Sequence, residues 1–296
     1  MKKRVMSGRT GGSVMFENKA LNYKGCSIFY RVEIKEKADQ WVIFLHGAGV
    51  DHRMFKEQVK IVPEEYNILL WDARSHGRSI PSTIKFSMKQ LLDDLLKIME
   101  IEQIHKAVFI GQSMGGNLAQ DMAYYYPEKV HGLVLIDCTN NTAKISKMEK
   151  ITLSVTKLMF ELYPWKLLVR QSANACGLSQ EVKEYVEECF YKVGKEALID
   201  IVIGVTKCLH EDAAYKMKVP FLLLCGDKDT SGNIRKIAKP WADSEPTCTF
   251  YMITNAGHNS NQDNPVEVNI HINNYLNQMV FHREGRNRIG DTHIYH

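Results

Sequence analysis

A serine between two glycines, Gly111-Gln112-Ser113-Met114-Gly115, offers the clearest chemistry in this chain of 296 residues. The residues before it, from Val108 to Ile110, are an apolar run, and residues 117–126 have the pattern of a helix. A serine at a sharp strand-to-helix turn needs small neighbours, because a Cβ at either glycine would collide with the tightly folded backbone. The G-x-S-x-G pattern therefore predicts that Ser113 projects into a pocket as a nucleophile.

A serine hydroxyl is a weak nucleophile at neutral pH, so a base and an acid that orients it should follow later in the chain. His258 stands beyond a predicted last strand, residues 249–253, in the loop Asn255-Ala256-Gly257-His258. A lone histidine is more often structural, but this one follows a glycine after a strand end. We therefore predict that His258 is the base.

Three carboxylates could orient this histidine. Asp227 and Asp229 lie in a turn after the apolar strand 219–225, and Asp137 ends another apolar strand, 133–137. An aspartate directly after a glycine readily bonds to nearby backbone, which favours a turn role for Asp227. The residue pattern alone leaves Asp229 and Asp137 open.

These residues belong to a chain that alternates apolar strands with helices. Strands are predicted at 27–33, 41–46, 66–72, 106–112, 133–137, 219–225 and 249–253, and helices at 88–99, 117–126 and 265–280. Such alternation is typical of a parallel sheet covered by helices on both faces, with its site at the carboxyl ends of the strands. Because every candidate residue follows a strand end, the sequence predicts an α/β fold with one site.

Two further motifs give the chain a resemblance to the α/β-hydrolase fold superfamily over about residues 21–280. Val42 to Gly49 resembles the family's H-G-x-G turn, and Trp71 to Ser79 resembles its D-x-R-G-x-G-x-S segment, with Ser75 where the family usually has glycine. The order and spacing of these motifs, the serine turn, the acid turn and the histidine loop match the family. The resemblance implies a mostly parallel central sheet flanked by helices, an inserted helical cap, and membership of the serine-nucleophile branch.

The resemblance also assigns roles. The family pattern G-x-x-D selects Asp229 as the acid, while Asp137 holds a position from which some relatives supply theirs. An oxyanion needs preorganised donors, and the resemblance implies the backbone N–H groups of Ala48 and Met114. It leaves His46 a structural role.

The predicted domain organisation follows from the same resemblance. A flexible N-terminal arm covers residues 1–20, the α/β-hydrolase core 21–137 and 218–282, the helical cap 138–217, and a C-terminal tail 283–296. Within the cap, the apolar run 155–168 should mostly pack the cap on the core, with Phe160, Tyr163 or Trp165 meeting substrate.

Composition and charge exclude several classes of function. The formal net charge is +4, and Lys2, Lys3, Arg4 and Arg9 account for all of it, 4 − 4 = 0, so no nucleic-acid partner is expected. No apolar run approaches the roughly 20 residues that span a bilayer, and the first residues do not resemble a secretory signal.

The seven cysteines are an odd number without a C-x-x-C pair, which favours free thiols and a cytoplasmic location over disulfides. Neither the cysteines nor the histidines have metal-ligand spacing, so we expect no metal and no cofactor.

The resemblance favours a hydrolase of a small or medium carboxylic ester or related acyl bond. A serine at the nucleophile position argues against the epoxide hydrolases and haloalkane dehalogenases of this fold, which use aspartate there. A lactonase, a hydrolase of carbon–carbon bonds or a perhydrolase remains open, as does a small-molecule receptor with slow turnover.

Overall fold

One eight-stranded sheet forms the centre of the molecule. The computed structural model describes residues 15–144 and 157–290. The strands are β1 (Glu17–Tyr23), β2 (Cys26–Glu33), β3 (Gln40–Leu45), β4 (Tyr66–Trp71), β5 (Ala107–Gln112), β6 (Val130–Ile136), β7 (Phe221–Gly226) and β8 (Cys248–Ile253). Their order across the sheet is β1-β2-β4-β3-β5-β6-β7-β8.

The sheet is antiparallel only at one edge. β2 runs antiparallel to both β1 and β4, whereas the other neighbouring pairs are parallel. Every residue of β4, β5 and β7 is buried, because helices cover both faces of the central strands. The mostly parallel sheet predicted from the sequence is confirmed.

The helices fall between the strands. They are α1 (Met88–Ile101), α2 (Met114–Tyr125), α3 (Trp165–Cys176), α4 (Gln180–Val193), α5 (Lys195–Thr206), α6 (Ile234–Ser244), the short α7 (Ser260–Asp263) and α8 (Pro265–Gly290), and residues 157–162 are also helical. Single 3₁₀ turns occupy His52–Phe55, Val59–Ile61 and Pro127–Lys129. α2 packs against β3, β5 and β6, whereas α6 packs against β7 and β8.

The region between β6 and β7 is mostly helical where the structure describes it, and α4 contacts both α3 and α5. The predicted apolar run 155–168 is divided at Pro164, which directly precedes α3. Its first two residues lie outside the described part of the chain. Leu158, Met159 and Leu162 are exposed, so this face does not pack on the core as expected.

Two predicted boundaries were wrong. β1 begins at Glu17, so residues 17–20 belong to the sheet and not to the arm; residues 1–14 lie outside the description. α8 continues to Gly290, past the predicted end at 280 and into the predicted tail. Its polar sequence here includes Arg283, Glu284 and Arg286, and polarity does not end a helix when the residues are good helix formers.

All seven cysteines are free. Among the helices of the described ranges, none has the length and apolar content that crossing a bilayer requires.

Candidate active site

Ser113 lies between the end of β5 and the start of α2 with φ 49° and ψ −115°. A positive φ is costly for a residue that carries a Cβ, so the surroundings must hold it. The Ser113 amide donates to the carbonyl oxygen of Ile136 at 2.9 Å, and the Ser113 carbonyl accepts from the amide of Asn117 at 2.9 Å. The strained turn is thus fixed by β6 on one side and by α2 on the other.

Glycine is required on both sides of this serine. A Cβ on Gly111 would collide with the backbone of Gly115, and a Cβ on Gly115 would collide with the carbonyl group of Leu45. The predicted reason for the G-x-S-x-G spacing is therefore present in the structure, because β3, β5 and α2 approach too closely for a larger residue.

His258 contacts both Ser113 and Asp229. Its Nε2 lies 3.0 Å from Ser113 Oγ, and its Nδ1 lies 3.0 Å from Asp229 Oδ2. An ionised carboxylate only accepts, so Nδ1 carries the proton and Nε2 is left to accept from the serine hydroxyl. The three side chains form one hydrogen-bonded chain although they lie far apart in sequence.

Neighbouring residues hold the histidine and the aspartate of this hydrogen-bonded set in place. Gln112 Nε2 donates to the carbonyl oxygen of His258 at 2.7 Å, so the residue before the serine also holds the backbone of the histidine. Asp229 Oδ1 accepts from the amide of Ser231 at 2.7 Å, which orients the carboxylate in the turn after β7.

The environment of His258 favours its charged form. Burial by itself lowers the pKa of the imidazole, but the hydrogen bond and charge of Asp229, with the charge of Asp137, outweigh it and raise the pKa above its usual value. An imidazolium formed at this position would therefore be stabilised.

Asp137, the alternative acid, does not hold the imidazole. Its Oδ1 accepts from the amide of Gly226 at 2.7 Å, and its Oδ2 accepts from the amide of Ser260 at 3.0 Å. Burial raises the pKa of Asp137 to about 7, with a further increase from the charge of Asp229 and an opposing decrease from His258. The structure therefore places Asp229, and not Asp137, against the histidine.

Asp227 has the turn contacts expected for it. Its Oδ1 accepts from the amide of Ala256 at 3.2 Å, and its Oδ2 pairs with Lys228 at 2.9 Å.

Ala48 and Met114 flank the serine from two elements. Met114 is the first residue of α2, and Ala48 lies in the turn after β3. This turn contacts the serine loop closely, since a Cβ on Gly47 would collide with Oε1 of Gln112 and lie 3.6 Å from Ser113 Cβ. Within the described residues, neither the Ala48 nor the Met114 amide donates to a protein acceptor.

His46 is held as a structural residue. Its Nε2 accepts from the amide of Ala73 at 2.9 Å, and its Nδ1 lies 2.8 Å from the carbonyl oxygen of Gly47. Burial lowers the pKa of His46, so the neutral ring links the turn after β3 to the turn after β4. In that second turn Ser75 has φ 66°, a conformation that explains why the family usually has glycine there.

A cavity of about 620 Å³ opens beside Ser113. Its described lining comes from α2, the loop after β6, the end of α5 and the start of α6: Ser113, Asn117, Cys138, Thr139, Asn140, Ala143, Lys144, Val205, Thr206, Cys208, Leu209, Gly232, Asn233, Ile234 and Ile237.

The predicted substrate contacts Phe160, Tyr163 and Trp165 are not among these lining residues, so that prediction was wrong. Asn117, which follows Ser113 by one helical turn, also lines the cavity and was not predicted; a polar residue at that spacing was the available signal.

The sheet order, the strained serine and the histidine that bridges it to an aspartate together define an α/β-hydrolase. A family model described as serine aminopeptidase, S33 matches residues 36–263, and the chain belongs to this family.

Relatives with this fold include hydrolases of several kinds. 3-oxoadipate enol-lactonase 2 of Acinetobacter baylyi is 29% identical over 108 residues, which are 36% of this chain and 39% of that protein. A serine hydrolase-like protein of Danio rerio is 24% identical over 79% of this chain and 81% of its own length. A thermophilic esterase from Thermogutta terrifontis superposes with a TM-score of 0.73 at 20% identity and covers 90% of this chain and 99% of that one.

Proposed function

We propose that this hydrolase cleaves a small or medium carboxylic ester or related acyl bond through an acyl-enzyme on Ser113. The observation that carries the proposal is the hydrogen-bonded chain from Ser113 through His258 to Asp229 at the edge of a 620 Å³ cavity. A base with one nitrogen on the nucleophile and the other on a carboxylate is the arrangement that serine acyl transfer needs.

In the proposed reaction His258 Nε2 takes the proton of Ser113 as Oγ attacks the carbonyl carbon. Asp229 keeps the imidazole in the required tautomer and stabilises the imidazolium. The imidazolium then protonates the leaving oxygen, and the alcohol departs. A water molecule, deprotonated by the same histidine, clears the acyl group from Ser113.

The negative oxygen of the tetrahedral intermediate would bind to the amides of Ala48 and Met114. Both amides lack an acceptor within the described residues, and the Met114 amide stands at a helix N-terminus, which favours negative charge. Each such donor contributes about 3 kcal/mol of transition-state stabilisation in comparable sites.

Lactone hydrolysis is the second candidate, because the matched relative from Acinetobacter baylyi is an enol-lactonase. The chemistry at Ser113 would be the same, and only the bound substrate would differ. We further propose that the helices between β6 and β7 act as a cap, since Val205 and Thr206 of α5 line the cavity.

The test is hydrolysis of p-nitrophenyl esters from acetate to octanoate by the wild type and by Ser113→Ala. We expect sustained turnover by the wild type that is lost in a folded Ser113→Ala variant. An alanine p-nitroanilide and a set of lactones in parallel distinguish an aminopeptidase and a lactonase. Equal rates in wild type and variant, or a single burst without turnover, would contradict the proposed esterase.

A further inference from the structure

We infer that Asn117 is a specificity residue: its Oδ1 accepts a hydrogen bond from a hydroxyl or N–H group that the substrate carries beside the scissile acyl bond. This inference rests on the acyl hydrolase proposed above and narrows its substrate class.

Asn117 lies where a substrate attached at Ser113 would reach it. Asn117 stands four residues after Ser113 on α2, and residues at this spacing share one face of a helix. The rise of about 1.5 Å per residue separates them by about 6 Å along the axis. Both residues line the same cavity, so a substrate attached at Ser113 passes along Asn117.

The orientation of the Asn117 amide is fixed by acceptors behind it. Its Nδ2 donates to the backbone oxygen of Thr139 at 3.2 Å, to Thr139 Oγ1 at 3.0 Å and to Asn141 Oδ1 at 2.6 Å. A backbone carbonyl only accepts, so the nitrogen of Asn117 must face it.

Asn141 is fixed in the same way. Its Nδ2 donates to Asp121 Oδ1 at 2.7 Å and to the backbone oxygen of Asn117 at 2.9 Å, which directs its own oxygen toward Asn117. Gln120 completes the connection, since its Oε1 accepts from the Asn141 amide and its Nε2 donates to the Thr139 oxygen. The loop after β6 is thereby tied to α2, and neither asparagine can rotate its amide without breaking several bonds.

The remaining polar atom of the Asn117 side chain is Oδ1, which has no donor within the described residues. Asn117 is only 4% exposed, yet its Oδ1 is not among the fully enclosed side-chain atoms that lack a partner, so this acceptor is accessible where Asn117 lines the cavity. Asn117 is therefore built to present an acceptor and no donor to the substrate.

The larger part of the cavity wall is apolar. Val205 and Leu209 line it from the end of α5 and the following loop, and Ile234 and Ile237 line it from α6. The substrate class that matches both surfaces is a largely apolar acyl compound with one hydroxyl or amide N–H group near the scissile bond.

The test compares matched esters with and without a donor. The acyl series is p-nitrophenyl hexanoate beside its 2-hydroxy and 3-hydroxy analogues, and the alcohol series is hexyl acetate beside 2-hydroxyhexyl acetate. We expect the wild type to prefer at least one hydroxylated ester by tenfold or more in kcat/KM, and we expect Asn117→Leu to lose that preference. The exposed Asn18→Leu applies the same chemical change away from the cavity and should keep the wild-type ratios.

Each outcome is decisive. A wild-type preference that survives in Asn117→Leu, or wild-type ratios near one for every pair, overturns the inference while Ser113-dependent turnover leaves the proposed function intact. If no ester is turned over in a Ser113-dependent way, the proposed function itself fails. Since Leu at 117 also removes the contacts to Thr139 and Asn141, its thermal unfolding and its kcat/KM for the plain hexanoate are measured to separate misfolding from lost recognition.

Discussion

The two aspartates near His258 differ in what they bind, although both are buried. Asp229 accepts from the imidazole, whereas both oxygens of Asp137 accept from backbone amides. This difference assigns them separate tasks: Asp229 orients the proposed base, and Asp137 joins the end of β7 to the start of α7.

Replacing each aspartate by asparagine tests this assignment. We expect Asp229→Asn to lower kcat on the order of a thousandfold or more, because the imidazole loses the acceptor that selects its tautomer. Asp137→Asn should mainly lower stability, by about 1–3 kcal/mol, because its new NH₂ group faces an amide N–H that also donates. Ester turnover and thermal unfolding of both variants are the measurements. A folded Asp137→Asn protein without activity, beside an active Asp229→Asn protein, would reverse the assignment.

The pH dependence of activity should follow His258. Its pKa is raised, so the acid limb of kcat/KM should have a midpoint above about 6.5, the ordinary value for histidine. Asp137 titrates near 7 and can contribute to this limb, so the assignment depends on a comparison. In Asp229→Asn the imidazole loses its strongest stabilising charge, and the midpoint should move to lower pH. A midpoint that stays in place would show that another group controls the limb.

The raised pKa of His258 also makes the stability of the folded protein depend on pH. A histidine whose pKa is raised on folding stabilises the folded state below its unfolded pKa of about 6.5, and this contribution disappears as pH rises through the folded-state pKa. Chemical unfolding of Ser113→Ala between pH 5 and pH 8, compared with Ser113→Ala that also carries Asp229→Asn, measures it without turnover and apart from the titration of Asp137.

At the scale of helices and strands, the local pattern of apolar residues predicted the buried strands well. β4, β5 and β7 are mostly apolar and buried along their whole length, and each of them appears close to its predicted bounds. β1 was missed because it is an edge strand in which exposed and half-buried residues alternate without a strong apolar pattern. Its hydrogen bonds come from pairing with β2, which no local pattern reports.

The residues of the candidate site likewise include some that the sequence predicts and some that only the folded chain reveals. Ser113, His258 and the acid turn could be found because each carries a motif at a strand end. The inferred role of Asn117 depends on the hydrogen bonds that its Nδ2 donates to Thr139 and Asn141, which lie in a loop that only the folded chain brings beside α2. The cavity wall was mispredicted because the apolar character of Phe160, Tyr163 and Trp165 does not say which way their helices face.

A buried ion pair attaches the edge hairpin to the rest of the fold. Arg74, in the turn after β4, donates to both oxygens of Asp94 on α1 at 2.7 and 2.8 Å, and both side chains are fully buried. Arg74 also donates to the backbone oxygens of Tyr23 and Lys24, where β1 ends and the hairpin turns.

We expect Arg74→Met to destabilise the protein by about 3–5 kcal/mol, since it leaves the Asp94 carboxylate buried without its partner. Urea unfolding gives the value. The double variant Arg74→Met with Asp94→Leu should recover part of the loss, because it removes the unpaired charge. A single-variant cost below about 1 kcal/mol would mean that the pair is not what holds this hairpin.

At the scale of the whole molecule, the cavity is lined both by α2, which packs on the sheet, and by α5, one of the helices inserted between β6 and β7. Ser113 directly precedes α2 and Asn117 lies on it, whereas Val205 and Thr206 belong to α5. The substrate length that the cavity accepts should therefore depend on residues of α5 as well as on those beside Ser113.

Val205→Trp tests this dependence. The larger side chain should fill part of the cavity and lower kcat/KM for p-nitrophenyl octanoate by tenfold or more, while acetate hydrolysis stays within about twofold. Lys207→Trp places the same side chain at an exposed position just after α5 and serves as the control. If Val205→Trp affected acetate and octanoate equally, the cavity would not be the acyl-binding site.

The bond from Gln112 to the carbonyl oxygen of His258 has a consequence for how such a protein can change over evolutionary time. The hydrogen bonds that join the serine, the imidazole and the two aspartates come from residues before 138 or after 220. Among the described residues, the helices inserted between β6 and β7 contribute none of these bonds, although the backbone oxygen of Cys176 in α3 accepts from the amide of Asn259, next to the histidine, at 2.7 Å. Duplicated copies of this gene can therefore exchange or lengthen the later helices, α4 and α5, and acquire new substrates, while the hydrogen bonds among the reacting groups are inherited.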